Sequence, residues 1–161
     1  MYLELESVFN TPGFAQPFRY ALEGFEGLLP LAGPPEIEGK ARNRTGIVTL
    51  EGTAAIRMHA ACDRCAAPFE YSAGVPFAHT LVLSRNSDES DELILLDSFR
   101  WSPDSLVWED IVLSLPPRLL CGPACKGLCP RCGQNLNEGT CACESEGDPR
   151  WAALQSLKSD I

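Results

Sequence analysis

From Val48 onward apolar or small residues alternate with polar ones: Val48, Leu50, Gly52, Ala54, Ile56 and Met58 fall on one side, Thr49, Glu51, Thr53, Arg57 and His59 on the other. Successive side chains of a strand point to opposite faces, so this stretch predicts a half-buried strand. A second alternation, Val75, Phe77, His79, Leu81 and Leu83, begins ten residues after Cys65. Together they predict two antiparallel strands with Cys62-Asp63-Arg64-Cys65 in the turn region between them. Shorter strand signals are Leu3, Leu5 and Phe9; Phe18, Tyr20 and Leu22; and the run Leu93 to Leu96. Residues 25–45, rich in Gly and Pro, read as a loop, and the polar run 84–91 as a mobile one.

Two helices are predicted from their starts. Ser102 is placed to cap a helix with Pro103 in its first position and Asp104 in its first turn, and Val107, Ile111 and Leu115 recur at four-residue spacing before Pro116-Pro117 ends it. Asp148-Pro149 is a similar start, followed by an apolar stripe of Trp151, Leu154 and Leu157. The stretch 117–147 between these helices has too few large apolar side chains to build a core. Three parts follow: a sheet-rich body with one helix over 1–116, a cysteine-rich segment over 117–147, and a helix packed on the body over 148–161, all in one domain. The fold class is α+β, a mainly antiparallel sheet that could curl toward a barrel, with two helices and a C-terminal zinc-ribbon-like segment.

Composition narrows the setting. The chain has 161 residues, 45% hydrophobic, enough for one self-supporting core. No run approaches the roughly 18 apolar residues of a membrane span. The opening Met1-Tyr2-Leu3-Glu4-Leu5-Glu6 carries acids where an export signal carries bases, so a reducing cytoplasm is expected. Eight cysteines in that compartment call for a metal rather than a disulfide framework.

The spacing says how. Two residues between cysteines let both thiolates reach one tetrahedral ion at about 2.3 Å, and a following glycine lets the backbone turn its amides toward the sulfurs. Cys129-Pro130-Arg131-Cys132-Gly133 has this form, and Cys141 and Cys143 follow after a turn-forming loop, so Cys129, Cys132, Cys141 and Cys143 make one predicted zinc site. Cys62, Cys65, Cys121 and Cys125 make a second, tying the sheet to the tail. Cys125 with Cys129 repeats the spacing of Cys121 with Cys125, so other partitions stay open. Redox catalysis needs a thiol activated at a helix start, which neither CxxC provides; an iron–sulfur cluster is chemically compatible with four thiolates.

Charge is unevenly spread. The net charge is −9; residues 87–110 hold eight acids against one arginine, while residues 118–134 hold Arg118, Lys126 and Arg131 and no acid. Two loaded four-thiolate sites would take the net charge to about −13. Arg118, Lys126 and Arg131 are therefore candidates to contact RNA or a partner, or simply to balance the metal sites. No catalytic set stands out. His79 shares parity with buried positions and reads as a satisfied core histidine, His59 as a surface group. Trp101, Trp108 and Trp151 read as core anchors, and Asp104, Glu109 and Asp110 as capping and solvating groups.

The string from Cys121 through Cys143 with its GLCPRCGQNLN centre, the run Cys62-Asp63-Arg64-Cys65-Ala66-Ala67-Pro68-Phe69, and the ending Asp148-Pro149-Arg150-Trp151-Ala152-Ala153-Leu154 resemble the YceD family. That resemblance implies a non-enzymatic bacterial factor needed for normal levels of large-subunit ribosomal RNA. An acidic chain in that role is expected to work mainly through proteins, such as ribosome assembly or rRNA-processing factors or a basic ribosomal protein, with indirect or weak direct rRNA contact. A zinc-dependent interaction or metal-sensing module without an RNA role is the alternative.

Overall fold

The computed structural model of the chain describes residues 1–25, 27–83 and 93–143. In chain order the elements are β1 (Leu3–Glu4), α1 (Glu6–Asn10), β2 (Ala15–Ala21), β3 (Glu36–Arg44), β4 (Ile47–Ala61), β5 (Pro68–Leu83), β6 (Leu93–Leu96), β7 (Arg100–Trp101) and α2 (Asp104–Ser114). Strands β2, β3, β4, β5 and β6 form one sheet in that order, antiparallel except for the parallel β5–β6 pair; β1 and β7 form a separate ribbon. The class is α+β, as the alternations predict. The expected curl into a barrel does not occur. Closure requires the outermost strands to pair, and β2 and β6 each have one strand neighbour. The edges stay apart, and α1 and α2 pack against β3 and β5 where a closing sheet would otherwise have to lie.

The predicted inward row of β4 is buried as read: Val48, Leu50, Ala54, Ile56 and Met58 join Val75, Phe77 and Leu81 of β5 in the core. α1 lies against β3 and α2 against β5 on that face. Trp108 stacks on Phe25 with ring centroids 4.7 Å apart, and Trp101 packs at the core's margin, as anchors do. His79 meets Asp110 of α2 at 2.7 Å, so this histidine is satisfied. Asp110 thereby serves as a partner to β5 rather than as a solvating group.

Residues 36–44, expected to be loop, form β3, paired with both β2 and β4. Its inward positions are Ile37, Gly39, Ala41 and Asn43, so glycine and asparagine hide the alternation. Leu3, Leu5 and Phe9 were expected to mark a strand, yet only Leu3–Glu4 is extended and Glu6–Asn10 is helical. Leu5, Val8 and Phe9 have helical spacing, which overrides the short alternation. α2 also starts one step later than expected: Pro103 is its flanking residue, and the Asp104 amide reaches back to Ser102 Oγ at 3.5 Å. The helix expected after Asp148 and the run 84–91 lie outside the described residues.

The glycine at position 39 stands opposite Gly52, with Phe18 beyond one and Phe77 beyond the other across four adjacent strands. A Cβ on Gly52 would sit 2.4 Å from the Glu38 carbonyl oxygen and 2.6 Å from the Phe77 ring. Both rings lie over backbone that no side chain covers, which replaces the missing packing. Thr45 and Gly46, with φ of 52° and 94°, make the two-residue turn into β4 that this handedness favours.

Asn43 is the one fully buried polar side chain among the described residues. Its amide donates to the carbonyls of Val8 (2.8 Å) and Phe9 (3.1 Å), and its oxygen accepts from the Gly46 amide (2.9 Å). It thus ties α1 to the β3–β4 turn. Asn43→Ala leaves these groups without partners and is expected to lower stability by roughly 2–3 kcal/mol in denaturant unfolding.

Candidate metal centres

β4 and β5 pair without interruption from Val48 with Leu81 to Ala61 with Pro68. β3 stops at Glu36 opposite Ala55, so the far end of this hairpin projects beyond the sheet. The chain before β3 flanks it there: the Ala32 amide donates to the Arg57 carbonyl and the His59 amide to the Pro30 carbonyl. The hairpin tip carries Cys62 and Cys65. Its turn closes through Ala66 N–H to Cys62 O (2.8 Å) and Cys62 N–H to Ala67 O (2.9 Å), with Ala66 at φ 56°. This tight loop brings both thiols to one side.

The other half arrives from beyond α2. The Asp63 amide donates to the Leu119 carbonyl (2.8 Å), and the Leu119 amide to Asp63 Oδ2 (2.5 Å). Arg64 Nη1 donates to the Cys125 carbonyl (3.1 Å), and the Leu128 amide to the Arg64 carbonyl (3.0 Å). Gly127 permits that last approach: it has φ 78°, and a Cβ would meet the Arg64 oxygen at 3.0 Å. As a result Cys121 and Cys125 face Cys62 and Cys65 at sequence separations of 56 to 63 residues.

All four sulfurs lie within 4.8 Å of one another, with Cys62 to Cys125 at 3.8 Å and Cys65 to Cys121 at 3.7 Å. Tetrahedral ligands bonded at 2.3 Å to one ion stand about 3.8 Å apart, whereas a disulfide would bring sulfurs to about 2.05 Å. The set therefore fits a metal ion and not a pair of bridges. Cys62, Cys65 and Cys125 are buried, packed by Ala67, Phe69 and Leu120. A second group, Cys129, Cys132, Cys141 and Cys143, likewise lies within 4.8 Å. It is built locally. The Cys129 amide donates to the Gln134 carbonyl, and the Gly133 amide, at φ 73°, to the Cys129 carbonyl. Here Cys132 and Cys143 are exposed.

The thiols within each group titrate unequally. The Cys121 backbone amide, helped by those of Arg64 and Cys65, pulls the Cys62 thiol down to about 6 against its desolvation. Cys125, then Cys62 and Cys65, push Cys121 up to about 12. In the loop group the Cys132 and Arg131 amides pull Cys129 down to about 6, while Cys132, burial and Cys129 push Cys143 up to about 12. At least one sulfur in each group ionises readily, whereas the last keeps its proton because it donates that proton to neighbouring sulfurs, with burial and like charge adding to the hold. A divalent cation removes that resistance.

Residues 50–158, about two thirds of the chain, match the family described as Large ribosomal RNA subunit accumulation protein YceD. The chain belongs to the YceD family. It is also similar to uncharacterized proteins of Mycobacterium tuberculosis and Mycobacterium bovis, 30% identical over 114 residues that cover 68% of this chain and 55% of theirs. The chain thus spans about half the length of these curated relatives. No solved structure matches it. Among the described residues no helix is long and apolar enough to cross a membrane.

This YceD chain places its remaining candidate residues around the sulfur groups. Arg118, Lys126 and Arg131 are exposed, with Lys126 and Arg131 inside the segment that carries both groups. Sequence reasoning missed Asp63, Arg64 and Asn137. The first two look like filler within a CxxC, and Asn137 like a turn former, because their contacts are to backbone and to one sulfur in distant segments. Metal analysis of the purified protein is expected to give two ions per chain, falling to one in Cys65→Ser. Binding displaces thiol protons, so metal affinity is expected to fall with falling pH, and most steeply below about 6, where Cys62 and Cys129 also have protons to lose.

Proposed function

We propose that this chain is a non-catalytic factor of the bacterial cytoplasm that supports accumulation of large-subunit ribosomal RNA. It holds one structural zinc ion in each sulfur group, at Cys62, Cys65, Cys121 and Cys125 and at Cys129, Cys132, Cys141 and Cys143. The family match over residues 50–158 carries the ribosomal reading. The four-sulfur geometry carries the metal reading. An all-thiolate tetrahedral set suits zinc, which supplies positive charge and a fixed frame without redox chemistry. The residues around it do the orienting: Asp63 and Arg64 dock the tail on the hairpin tip, and backbone amides donate to the sulfurs.

A net charge of −9 opposes wrapping by a phosphate backbone and favours basic protein partners. Ribosome assembly or rRNA-processing proteins and basic ribosomal proteins fit that description. Exposed Arg118, Lys126 and Arg131 offer a local cationic edge to such a partner or to an rRNA segment it carries.

The test is depletion of the protein in its native cell, followed by the ratio of large-subunit to small-subunit ribosomal RNA. The ratio is expected to fall, to recover with the intact chain, and to stay low with Cys62→Ser and Cys65→Ser together. An unchanged ratio on depletion refutes the ribosomal role. Affinity purification at low and moderate salt is expected to recover proteins; naked RNA alone would refute action through protein partners.

A further inference from the structure

The two sulfur groups are separated along the chain by three residues, Lys126, Gly127 and Leu128, and one side chain bridges them. Asn137 belongs to the loop that connects the Cys129–Cys132 and Cys141–Cys143 halves of the exposed group. Its Oδ1 accepts the Lys126 backbone amide at 2.7 Å. Because a backbone N–H can only donate, that bond fixes which end of the side-chain amide is oxygen. Nδ2 must then face the other way, and it lies 3.3 Å from Cys125 Sγ, a sulfur of the buried group. The same nitrogen donates to Asn135 Oδ1 at 2.9 Å, and Asn135 Nδ2 donates to Glu138 Oε1 at 2.8 Å. The Leu136 amide adds a bond to the Gly127 carbonyl at 2.9 Å. The loop of one group thus grips the backbone of the link and donates to a ligand of the other.

We propose that Asn137 is a positioning residue that couples the two metal centres, so that closing the exposed centre tightens the buried one. This rests on the reading that both groups hold zinc. A four-thiolate centre carries a net charge of −2, and an N–H directed at one sulfur offsets part of it. The loop from Gln134 to Thr140 spans the two halves of the exposed centre, so an ion there closes the loop and holds Asn137 in place. Without that closure Asn137 and its neighbours lose their anchor, and Cys125 loses its donor. Coupling between sites is reciprocal: an ion in the buried centre strengthens binding at the exposed one by the same factor. Groups that support metal ligands in this way typically change affinity by about 10- to 100-fold.

The experiment follows release of zinc from the full-length, two-zinc protein into excess chromophoric chelator. A fast phase from the exposed centre and a slow phase from the buried one are expected. Asn137→Ala should speed the fast phase, in which the exposed centre empties while the buried ion is still bound, about tenfold and leave the slow phase unchanged. Cys62→Ser with Cys65→Ser should abolish the slow phase and speed the fast one by a similar factor, and adding Asn137→Ala to that pair should change nothing further. Asn137→Asp keeps the acceptor for Lys126 but puts a negative oxygen beside the sulfur. A donor role predicts faster release from Asp than from Ala, and a merely structural role predicts the reverse. A wild-type fast phase in the Asn137 variants, or effects that multiply in the combined variant, overturns the coupling while leaving the zinc reading intact. A chain that binds no zinc overturns both.

Discussion

Negative sulfurs repel one another, and this chain gathers four of them in one place twice, within 4.8 Å in each group. That repulsion is the constraint on which the tail depends. The body needs no such device: Ile37, Leu50, Ile56, Leu81 and Ile111 are fully buried in a continuous core between sheet and helices. Beyond Pro117 the described chain contributes little to that core, and its Leu120 and Cys125 pack instead with Cys62, Cys65, Ala67 and Phe69 of the hairpin tip. A cation among thiolates turns the repulsion into attraction, and the bonds from Asp63 and Arg64 then set direction rather than supply the main hold.

The sheet prepares that centre at a distance. Cys62 and Cys65 sit at the end of a hairpin whose strands run 15 and 16 residues, and a one-residue slip in register would turn every inward side chain outward. Register is held near the middle, where Gly39 and Gly52 approach too closely for any Cβ and Phe18 and Phe77 cover them. It is held again at the near end by Asn43, which locks the β3–β4 turn to α1. Packing ten or more residues along the chain from Cys62 and Cys65 therefore determines where they meet the tail.

How much of this the sequence discloses depends on how local the cause is. The β4 alternation, the turn position of Cys62-Asp63-Arg64-Cys65 and the helix over Asp104–Ser114 follow from neighbouring residues and are readable. Strand β3 is not, because a glycine paired with a glycine and an asparagine paired with backbone look like loop residues until the partner strands are present. The open sheet is likewise a property of strand number and covering helices, not of any one strand's pattern. At the centres the cysteines announce themselves by spacing. The residues that aim them do not, since Arg64 works through a carbonyl 61 positions away and Asn137 through a sulfur 12 positions away.

The basic residues of the tail divide by the work they do. Arg64 spends its guanidinium on the Cys125 carbonyl and brings positive charge beside a centre whose loaded form is net −2. Arg131 contributes its backbone amide to the Cys129 sulfur, which makes it part of the exposed centre before it is part of any interface. The side chains of Arg118, Lys126 and Arg131 are all exposed, and Lys126 is held at its backbone by Asn137 in the link between the sulfur groups. On the proposal of two bound zinc ions, which would take the total to about −13, these cations are local exceptions in a negative field. Under the proposed role, such a pattern suits a partner that is basic overall but has acidic side chains or a short phosphate stretch at the contact. It does not suit a continuous phosphate backbone, whose attraction needs positive charge along its whole track.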